Sequence, residues 1–483
     1  MTISTQVRRV AVIGAGPSGL SAVKYLLAEK CFDTVDVLEQ RSSVGGTWNY
    51  CPAAHKQASS TPVPQLRPWE PPEEPLWVAA GSAQKEAVFV SALYERLETN
   101  IPKELMKYSD QSWPADTQLF PSHATVLRYL EEYAEDVRDH IRFETQVLDV
   151  RVDNPQTSTW AVTTRNLRSG CNSTELYDAV VVASGHYNVP YLPAIEGIET
   201  WNKTYPGIIS HSKSFDSPEQ FRDRKVVVVG NSASGVDIAA QIRGVCKGKL
   251  LSSTRSESSF PLSTPSNILQ VPEIIEFLPP SKHCRGLRFK DGRIEEDIDA
   301  IVFCTGYLYA YPFLSSLEPP VITDGRRTLN VYRQIFYIEH PTLVFPVLPQ
   351  RVIPFPLSEN QAAVFARVWS SRLTLPSKAD MHEWENARAA ERGDGKTFHL
   401  LPFPLDADYL NSLYDWAAQA ATRPELDNGG HGKQGIRWEK GERWIRGQLP
   451  EIKKAFLAQG EQRHHIRSLK ELGFDLETMG GKD

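Results

Sequence analysis

The sequence predicts an α/β fold because a strand, a glycine-rich turn and a helix occur twice along one chain. Residues 10–13 form a short apolar run typical of a buried parallel strand, and the turn at 14–19 follows it. Residues 226–229 and 230–235 repeat the pattern. With 483 residues, the chain exceeds the size at which a single core stops growing. We therefore predict two Rossmann-like dinucleotide-binding domains, one inserted into the other.

The first glycine turn has the spacing that lets a backbone approach a pyrophosphate. One glycine permits the bend, the next allows close approach, and the last allows the helix to pack tightly on the strand. Glu39 follows about 20 residues later at the end of an apolar strand, where a carboxylate can accept hydrogen bonds from a ribose. This turn is expected to hold FAD. Its predicted contacts are Gly14, Gly16, Pro17, Ser18, Gly19 and Glu39.

The second glycine turn differs from the first in the charged residue that follows it along the chain. About 20 residues after this turn stands Arg255, where the first copy has an acid. A guanidinium can hold a 2′-phosphate by charge-assisted hydrogen bonds, whereas a carboxylate would repel it, so this site is expected to hold NADPH. Its predicted contacts are Gly230, Ser232, Ser234, Gly235 and Arg255, with serine replacing the middle glycine.

Composition narrows the classes of partner and compartment. The net charge of -6 gives no electrostatic case for nucleic acid, so small molecules are the expected partners. The six cysteines include no CxxC pair, which argues against a disulfide reductase and fits a reducing, cytoplasmic compartment. We expect no membrane span and no metal site, and a homodimer is left open.

The motif Tyr205-x-Gly207-x-x-x-His211-x-x-x-Phe215, between the two glycine turns, resembles the identifying motif of flavin-containing monooxygenases, with tyrosine in place of its opening phenylalanine. Further segments similar to that family contain Gly46, Thr47, Trp48, Asn100, Thr305 and Gly306. The resemblance implies that residues 45–48 lie against the flavin and that the linker around His211 joins the two domains. A structural role for His211 is favoured over an acid–base role.

The resemblance also implies the reaction. NADPH would reduce FAD, dioxygen would add to the reduced flavin as a C4a-hydroperoxide, and a soft nitrogen or sulfur nucleophile would take one oxygen atom. Asn100 would act in that oxygen chemistry, because an amide donates and accepts hydrogen bonds without titrating. Two alternatives stay open. One is Baeyer-Villiger oxygenation of a ketone, although those enzymes usually have tryptophan where this chain has Phe215. The other is an uncoupled NADPH oxidase.

The predicted organisation places an FAD domain at residues 1–205 and 311–483, interrupted by an NADPH domain at 206–310. Seven prolines in residues 52–75 predict a long surface loop without regular helix, and residues 51–90 are expected to contribute to the substrate entrance. Helices are predicted at 125–137 and 359–372, and solvated helix faces at 451–454 and 463–470.

Overall fold

The computed structural model describes residues 6–57, 61–68, 73–80, 84–154, 159–255 and 266–475. Of the segment expected to contribute to the substrate entrance, residues 58–60, 69–72 and 81–83 therefore lie outside the described residues.

The strands are short and fall into several sheets. In chain order they are β1 (Arg9–Ile13), β2 (Thr34–Leu38), β3 (Leu76–Ala80), β4 (Gln84–Val88), β5 (Ile141–Arg142), β6 (Thr145–Asn154), β7 (Thr159–Asn166), β8 (Asn172–Tyr177), β9 (Ala179–Val182), β10 (Val189–Pro190), β11 (Ile209–His211), β12 (Val226–Val229), β13 (Leu250–Ser253), β14 (Ile268–Val271), β15 (Ile274–Phe277), β16 (Leu287–Phe289), β17 (Ile294–Glu295), β18 (Ala300–Phe303), β19 (Tyr307–Leu308), β20 (Val331–Tyr332), β21 (Phe336–Tyr337) and β22 (Leu343–Val344).

Two largely parallel sheets carry the glycine turns. The larger has the strand order β20-β21-β22-β9-β1-β2-β5, and its strands from β22 to β5 are parallel. The smaller has the order β11-β18-β12-β13-β14 and is parallel throughout. β10 pairs with β19 beside the segments that enter and leave the smaller sheet. In both sheets the strand before the glycine turn lies in the interior, which explains its continuous apolar sequence.

The helices pack on these sheets and build a C-terminal helical region. In chain order they are α1 (Pro17–Ala28), α2 (Pro52–Gln57), α3 (His123–Tyr133), α4 (Ile198–Thr204), α5 (Ala233–Ile242), α6 (Pro354–Trp369), α7 (Lys378–Arg392), α8 (Leu405–Ala417), α9 (Asp427–Gly430), α10 (Lys440–Gly447) and α11 (Leu449–Ala458). α6 is buried on every side from Phe355 to Trp369 and packs against α1. Its apolar side chains join those of β1 and α1 in one core cluster.

The structure corrects three details of the sequence prediction. The proline-rich segment does contain a helix, α2, because Pro52 occupies the first helical position, where a missing N–H costs no hydrogen bond. α6 begins at Pro354, five residues earlier than predicted, for the same reason. The predicted solvated faces at 451–454 and 463–470 are only partly solvated, since Lys453 and Arg463 bind the 98–99 segment.

Candidate active site

The first glycine turn is shaped by a left-handed residue and a close strand. Gly14 has φ 102°, and a Cβ atom there would lie 2.7 Å from the carbonyl oxygen of Ala183 at the end of β9. The N–H of Gly14 donates to the carbonyl of Leu38 at 2.9 Å. Gly19 is equally constrained, because its Cβ would meet the Gly14 carbonyl. These positions therefore require glycine.

The second turn repeats this geometry. Gly230 has φ 113°, and a Cβ atom there would lie 2.5 Å from the carbonyl oxygen of Cys304 at the end of β18. Its N–H donates to the carbonyl of Ser253, again at 2.9 Å. The residues preceding the two helices, Gly16 and Ser232, have ψ -176° in both copies. Serine at this position thus leaves the backbone conformation unchanged.

Both glycine turns end at helix N-termini suited to an anion. Neither Gly16 before α1 nor Ser232 before α5 makes a side-chain capping hydrogen bond, and neither first turn contains an acidic residue. Pro17 has no N–H, so the first backbone N–H groups of α1 belong to Ser18 and Gly19. Ser234 and Gly235 occupy the corresponding positions in α5. The free amides and the helix dipole favour a pyrophosphate at each end.

The segment at residues 45–48 packs against the first turn. The N–H of Gly45 donates to the carbonyl of Ala15 at 3.0 Å. A Cβ atom at Gly46 would lie 2.9 Å from the Cα of Gly16, so a side chain at Gly46 would close the space between the two backbones. Thr47 and Trp48 continue this segment as a 3₁₀ turn, and Trp48 packs against the core beneath α1. The arrangement fits an elongated dinucleotide crossing from the pyrophosphate turn toward Trp48.

Glu39 lies immediately beyond β2 and is tied to the same turn. Its Oε2 accepts a hydrogen bond from the N–H of Ala15 at 2.7 Å, and its Oε1 accepts one from the N–H of Arg41 at 2.8 Å. Burial raises the pKa of Glu39, against the stabilising effect of these backbone donors. A carboxylate has about four lone-pair sites, so the sites that the backbone donors leave unused can accept from ribose hydroxyls.

Arg255 lies beyond the carboxyl end of β13, next to the strand that leads into the second turn, and its side chain is exposed. Lys396, which the sequence analysis missed, approaches the same region, and its Nζ lies 3.6 Å from the centroid of the Tyr191 ring. Shielding of this ammonium from water, together with the charges of Arg255 and Arg326, lowers the pKa of Lys396 to about 8. The cations therefore form a positively charged region suited to a phosphate.

His211 is fully buried and makes two backbone contacts. Its Nδ1 accepts a hydrogen bond from the N–H of Lys213 at 3.1 Å, which leaves Nε2 to donate to the carbonyl oxygen of Gly306 at 3.0 Å. Burial lowers the pKa of His211 to about 4. The ring is therefore neutral near pH 7. Thr305, beside Gly306, donates its hydroxyl hydrogen to the carbonyl of Tyr191.

The other motif residues lie around this linker. Tyr205 ends α4 with its ring 5.1 Å from that of Trp201, and Gly207 adopts φ 81°. Phe215 is buried, and its ring stands 5.2 Å from that of Tyr94 in an edge-on contact. The motif thus builds the junction between the smaller sheet and the segment that leads to Asn100.

The segment at residues 94–100, which we term the junction segment, contacts elements on both sides. The hydroxyl of Tyr94 donates to Asp237 on α5, and the N–H of Glu95 donates to the carbonyl of Asp216 at 3.1 Å. At its other end, Thr99 donates from its N–H to the carbonyl of Pro121, just before α3. Asn100 is exposed at the end of the segment, and within the described part of the chain neither its side chain nor its backbone N–H has a hydrogen-bond partner. The hydroxyl of Tyr50 also donates to Asp216. The sequence did not indicate this contact or the one between Tyr94 and Asp237.

Other kinds of site receive no support from the geometry. All six cysteines are free, and burial raises the pKa of Cys304 to about 12, so its thiol stays protonated. Across the described ranges, no cluster of three or more His, Cys, Asp or Glu side chains could hold a metal ion. In the same residues, no helix is long and apolar enough to cross a membrane.

Comparison with known proteins agrees with this geometry. Residues 76–266 and 273–428 match the flavin-binding monooxygenase-like family, and residues 12–59 match the NAD(P)-binding Rossmann-like domain. A flavin-containing monooxygenase of Amanita muscaria is 30% identical, with 87% of this chain and 90% of that protein covered. The Arabidopsis thaliana protein FMO GS-OX-like 2 is 34% identical, with 88% and 87% covered.

Solved structures show the same similarity over nearly the whole chain. The S-allyl-L-cysteine S-oxygenase of Allium sativum superimposes with a TM-score of 0.75 at 27% identity, covering 98% of both chains. Cyclohexanone monooxygenase shares the fold with a TM-score of 0.54 at 15% identity. The family uses FAD and NADPH, for which the two turns supply suitable cradles. The duplicated turns and the matched residues together make this chain a member of the flavin-containing monooxygenase family.

Proposed function

We propose that this enzyme uses NADPH and dioxygen to place one oxygen atom on a soft sulfur or nitrogen nucleophile of a small molecule. The proposal rests on two turns that share the same backbone geometry. Each is followed along the chain by a charged residue, which is Glu39 after the first turn and Arg255 after the second. The carboxylate suits a ribose and the guanidinium suits a 2′-phosphate. One chain would therefore hold an electron donor and a flavin together.

The two cofactors would occupy separate units of the chain. We assign the FAD domain to residues 1–205 and 311–483, since the larger sheet takes strands from both ranges. The NADPH domain would span 206–310, since the smaller sheet uses only strands from β11 to β18. FAD, when bound, supplies the oxygen activation, whereas the protein orients the reactants and excludes water. No side-chain nucleophile is required.

Asn100 is the residue that we assign to the oxygen chemistry. The junction segment is held between α5 and the start of α3, which supports a position between the two cofactor cradles. The exposed Asn100 would offer its side-chain amide and its backbone N–H to the reacting oxygen. An amide can hold an oxygen atom without delivering a proton that would release peroxide early.

Sulfur is the nucleophile that we would test first. The Allium sativum protein, which covers 98% of this chain, is an S-allyl-L-cysteine S-oxygenase by name. Phe215 supports heteroatom oxygenation over Baeyer-Villiger chemistry, because the resemblance associates tryptophan at this position with the latter. The likeness to cyclohexanone monooxygenase concerns the fold alone.

The test is a coupled assay of the FAD-loaded protein with a panel of a thioether, a thiol, a tertiary amine and a cyclic ketone. NADPH loss, hydrogen peroxide and oxygenated product are measured in the same reaction. The proposal predicts product nearly equal to NADPH consumed for at least one sulfur or nitrogen compound, with little peroxide. A lactone from the ketone alone would indicate Baeyer-Villiger oxygenation, and peroxide equal to NADPH with every compound would indicate an oxidase.

A further inference from the structure

Lys453 of α11 reaches the junction segment from the C-terminal region. Its Nζ donates a hydrogen bond to the carbonyl oxygen of Thr99 at 2.7 Å. The ammonium also lies 4.3 Å from the ring centroid of Phe120 and 5.3 Å from that of Phe456. No carboxylate comes within ion-pair distance of it in the described part of the chain. Because a shielded ammonium needs polar partners, the Thr99 hydrogen bond offsets part of the cost of its burial, together with the longer-range attraction of nearby carboxylates.

The Thr99 carbonyl belongs to the same planar peptide unit as the N–H of Asn100. The other polar groups of Thr99 are also held, because its N–H donates to Pro121 and its hydroxyl donates to the carbonyl of Ile101 at 2.8 Å. Rotation of this peptide would displace Asn100. A bond from a charged donor also polarises the unit and makes the Asn100 N–H a stronger donor.

We propose that Lys453 is a positioning residue for oxygen transfer. It holds the peptide between Thr99 and Asn100 so that Asn100 presents its amide groups to the cofactor cleft. This inference rests on the function proposed above for Asn100. Lys453 would touch neither substrate nor cofactor. The C-terminal helical region, for which the sequence indicated no role, would thereby act on the active site.

Charged groups from three elements surround the Lys453 ammonium. Asp237 on α5 accepts hydrogen bonds from Tyr94 and Gln241, while Glu98 of the junction segment is paired with Arg463 and His464. Burial lowers the pKa of Lys453 to about 8, against the opposing effects of Asp237 and Glu98 and with a small contribution from Arg463. The positive charge that holds the peptide should therefore be lost as pH rises through about 8.

The test compares Lys453→Met and Lys453→Arg in the FAD-loaded protein, with Lys454→Met as the matched control. Lys454 is adjacent on α11 and exposed, and among the described residues its ion-pair partner is Glu451 alone. At pH 7, Lys453→Met should lower the ratio of oxygenated product to peroxide by about tenfold or more, as expected for loss of a charge-assisted hydrogen bond. FAD content and the KM for NADPH should stay unchanged. Lys453→Arg should restore most of the ratio, and Lys454→Met should retain it.

Two further measurements test the inference independently of the turnover of Lys453→Met. Amide hydrogen exchange around residues 98–102 should accelerate in Lys453→Met, with or without FAD, and stay unchanged in Lys454→Met. The product-to-peroxide ratio of the unsubstituted enzyme should fall as pH rises through about 8, whereas Lys453→Arg should lack this fall. This pH comparison remains decisive if Lys453→Met loses FAD, and identical pH profiles in the two proteins would overturn the inference.

The outcomes separate this inference from the proposed function. If Asn100→Ala uncouples the enzyme and a folded Lys453→Met does not, the positioning role is wrong while the function of Asn100 stands. If neither substitution changes the ratio, Asn100 itself has no part in oxygen transfer.

Discussion

The imidazole of His211 donates a hydrogen bond from Nε2 to the carbonyl oxygen of Gly306, 3.0 Å away and 95 residues further along the chain. The same carbonyl accepts a second hydrogen bond, from the N–H of Tyr191 at 2.9 Å. The bond therefore joins β11, where the chain enters the smaller sheet, to the segment where it leaves. This geometry supports a structural role for His211 at the linker.

Replacing His211 by glutamine should destabilise the folded protein by about 1–3 kcal/mol, since a buried hydrogen bond is lost or distorted. Chemical denaturation of the FAD-loaded protein measures this change. The pH profile of turnover should keep its shape between pH 6 and 8, because the ring is neutral throughout. A profile that lost a neutral-pH limb in the variant would instead indicate acid–base catalysis by His211.

The pKa of His211 also predicts how stability depends on pH. Its folded value of about 4 lies below the ordinary value of 6.5, so between the two the unfolded chain binds more protons. The contribution of His211 is complete above about pH 6.5 and is lost as pH falls toward 4, by at most about 1.4 kcal/mol per pH unit. The difference between the unsubstituted protein and His211→Gln should therefore shrink over this range.

Replacing Arg255 by alanine should weaken NADPH binding by about 10-fold to 150-fold, the range expected for a charged hydrogen bond. NADH binding should change little, because NADH lacks the 2′-phosphate. Titration of both cofactors measures the effect. Lys249→Ala is the matched control, since Lys249 is an exposed cation just before β13, at its opposite end. Equal losses for NADPH and NADH would show that Arg255 does not recognise the 2′-phosphate.

Replacing Glu39 by glutamine should weaken FAD binding by about tenfold or more. A neutral amide can accept at only one of its two ends, so either Ala15 or Arg41 would face an amino group instead of an oxygen. FAD retained after gel filtration, and its dissociation constant by flavin fluorescence, measure the loss. The exposed substitution Glu86→Gln should leave both values unchanged.

Replacing Asn100 by alanine should keep FAD binding and anaerobic flavin reduction by NADPH while lowering oxygenated product by about 10² to 10³-fold. The reason is that one preorganised donor is removed from the reacting oxygen. Peroxide released per NADPH should rise correspondingly. Because Asn100 is exposed and unbonded in the described structure, unfolding is not expected to account for the loss. Normal coupling in a folded variant would refute the assignment.

The candidate site residues that the sequence predicted were found from their spacing along the chain. Gly14, Glu39, Gly230 and Arg255 lie at fixed distances along two strand–turn–helix units, so the chain path between them is short and its geometry is regular. The fold class and the family followed from this regularity and from the linker motif. The roles of the individual site residues stay predictions.

The contacts that the sequence could not predict join distant segments. Lys453 and Thr99 are 354 residues apart, and a lysine in a charged helix gave no signal that its ammonium binds a backbone carbonyl. Tyr94 and Asp237 likewise meet only because the junction segment packs against α5. Proline density also misled the prediction at Pro52, since proline interrupts a helix interior but suits its first position.

The proposed reaction uses electrons from NADPH to transfer one oxygen atom from dioxygen to a soft nucleophile. The most direct measurement supplies isotopically labelled dioxygen with a thioether and follows NADPH, peroxide and product in one reaction. We expect the product to carry one labelled oxygen atom and to be formed in an amount nearly equal to the NADPH consumed. If the enzyme instead releases nearly one peroxide per NADPH with the thioether, the thiol and the amine alike, it is not a monooxygenase of soft nucleophiles.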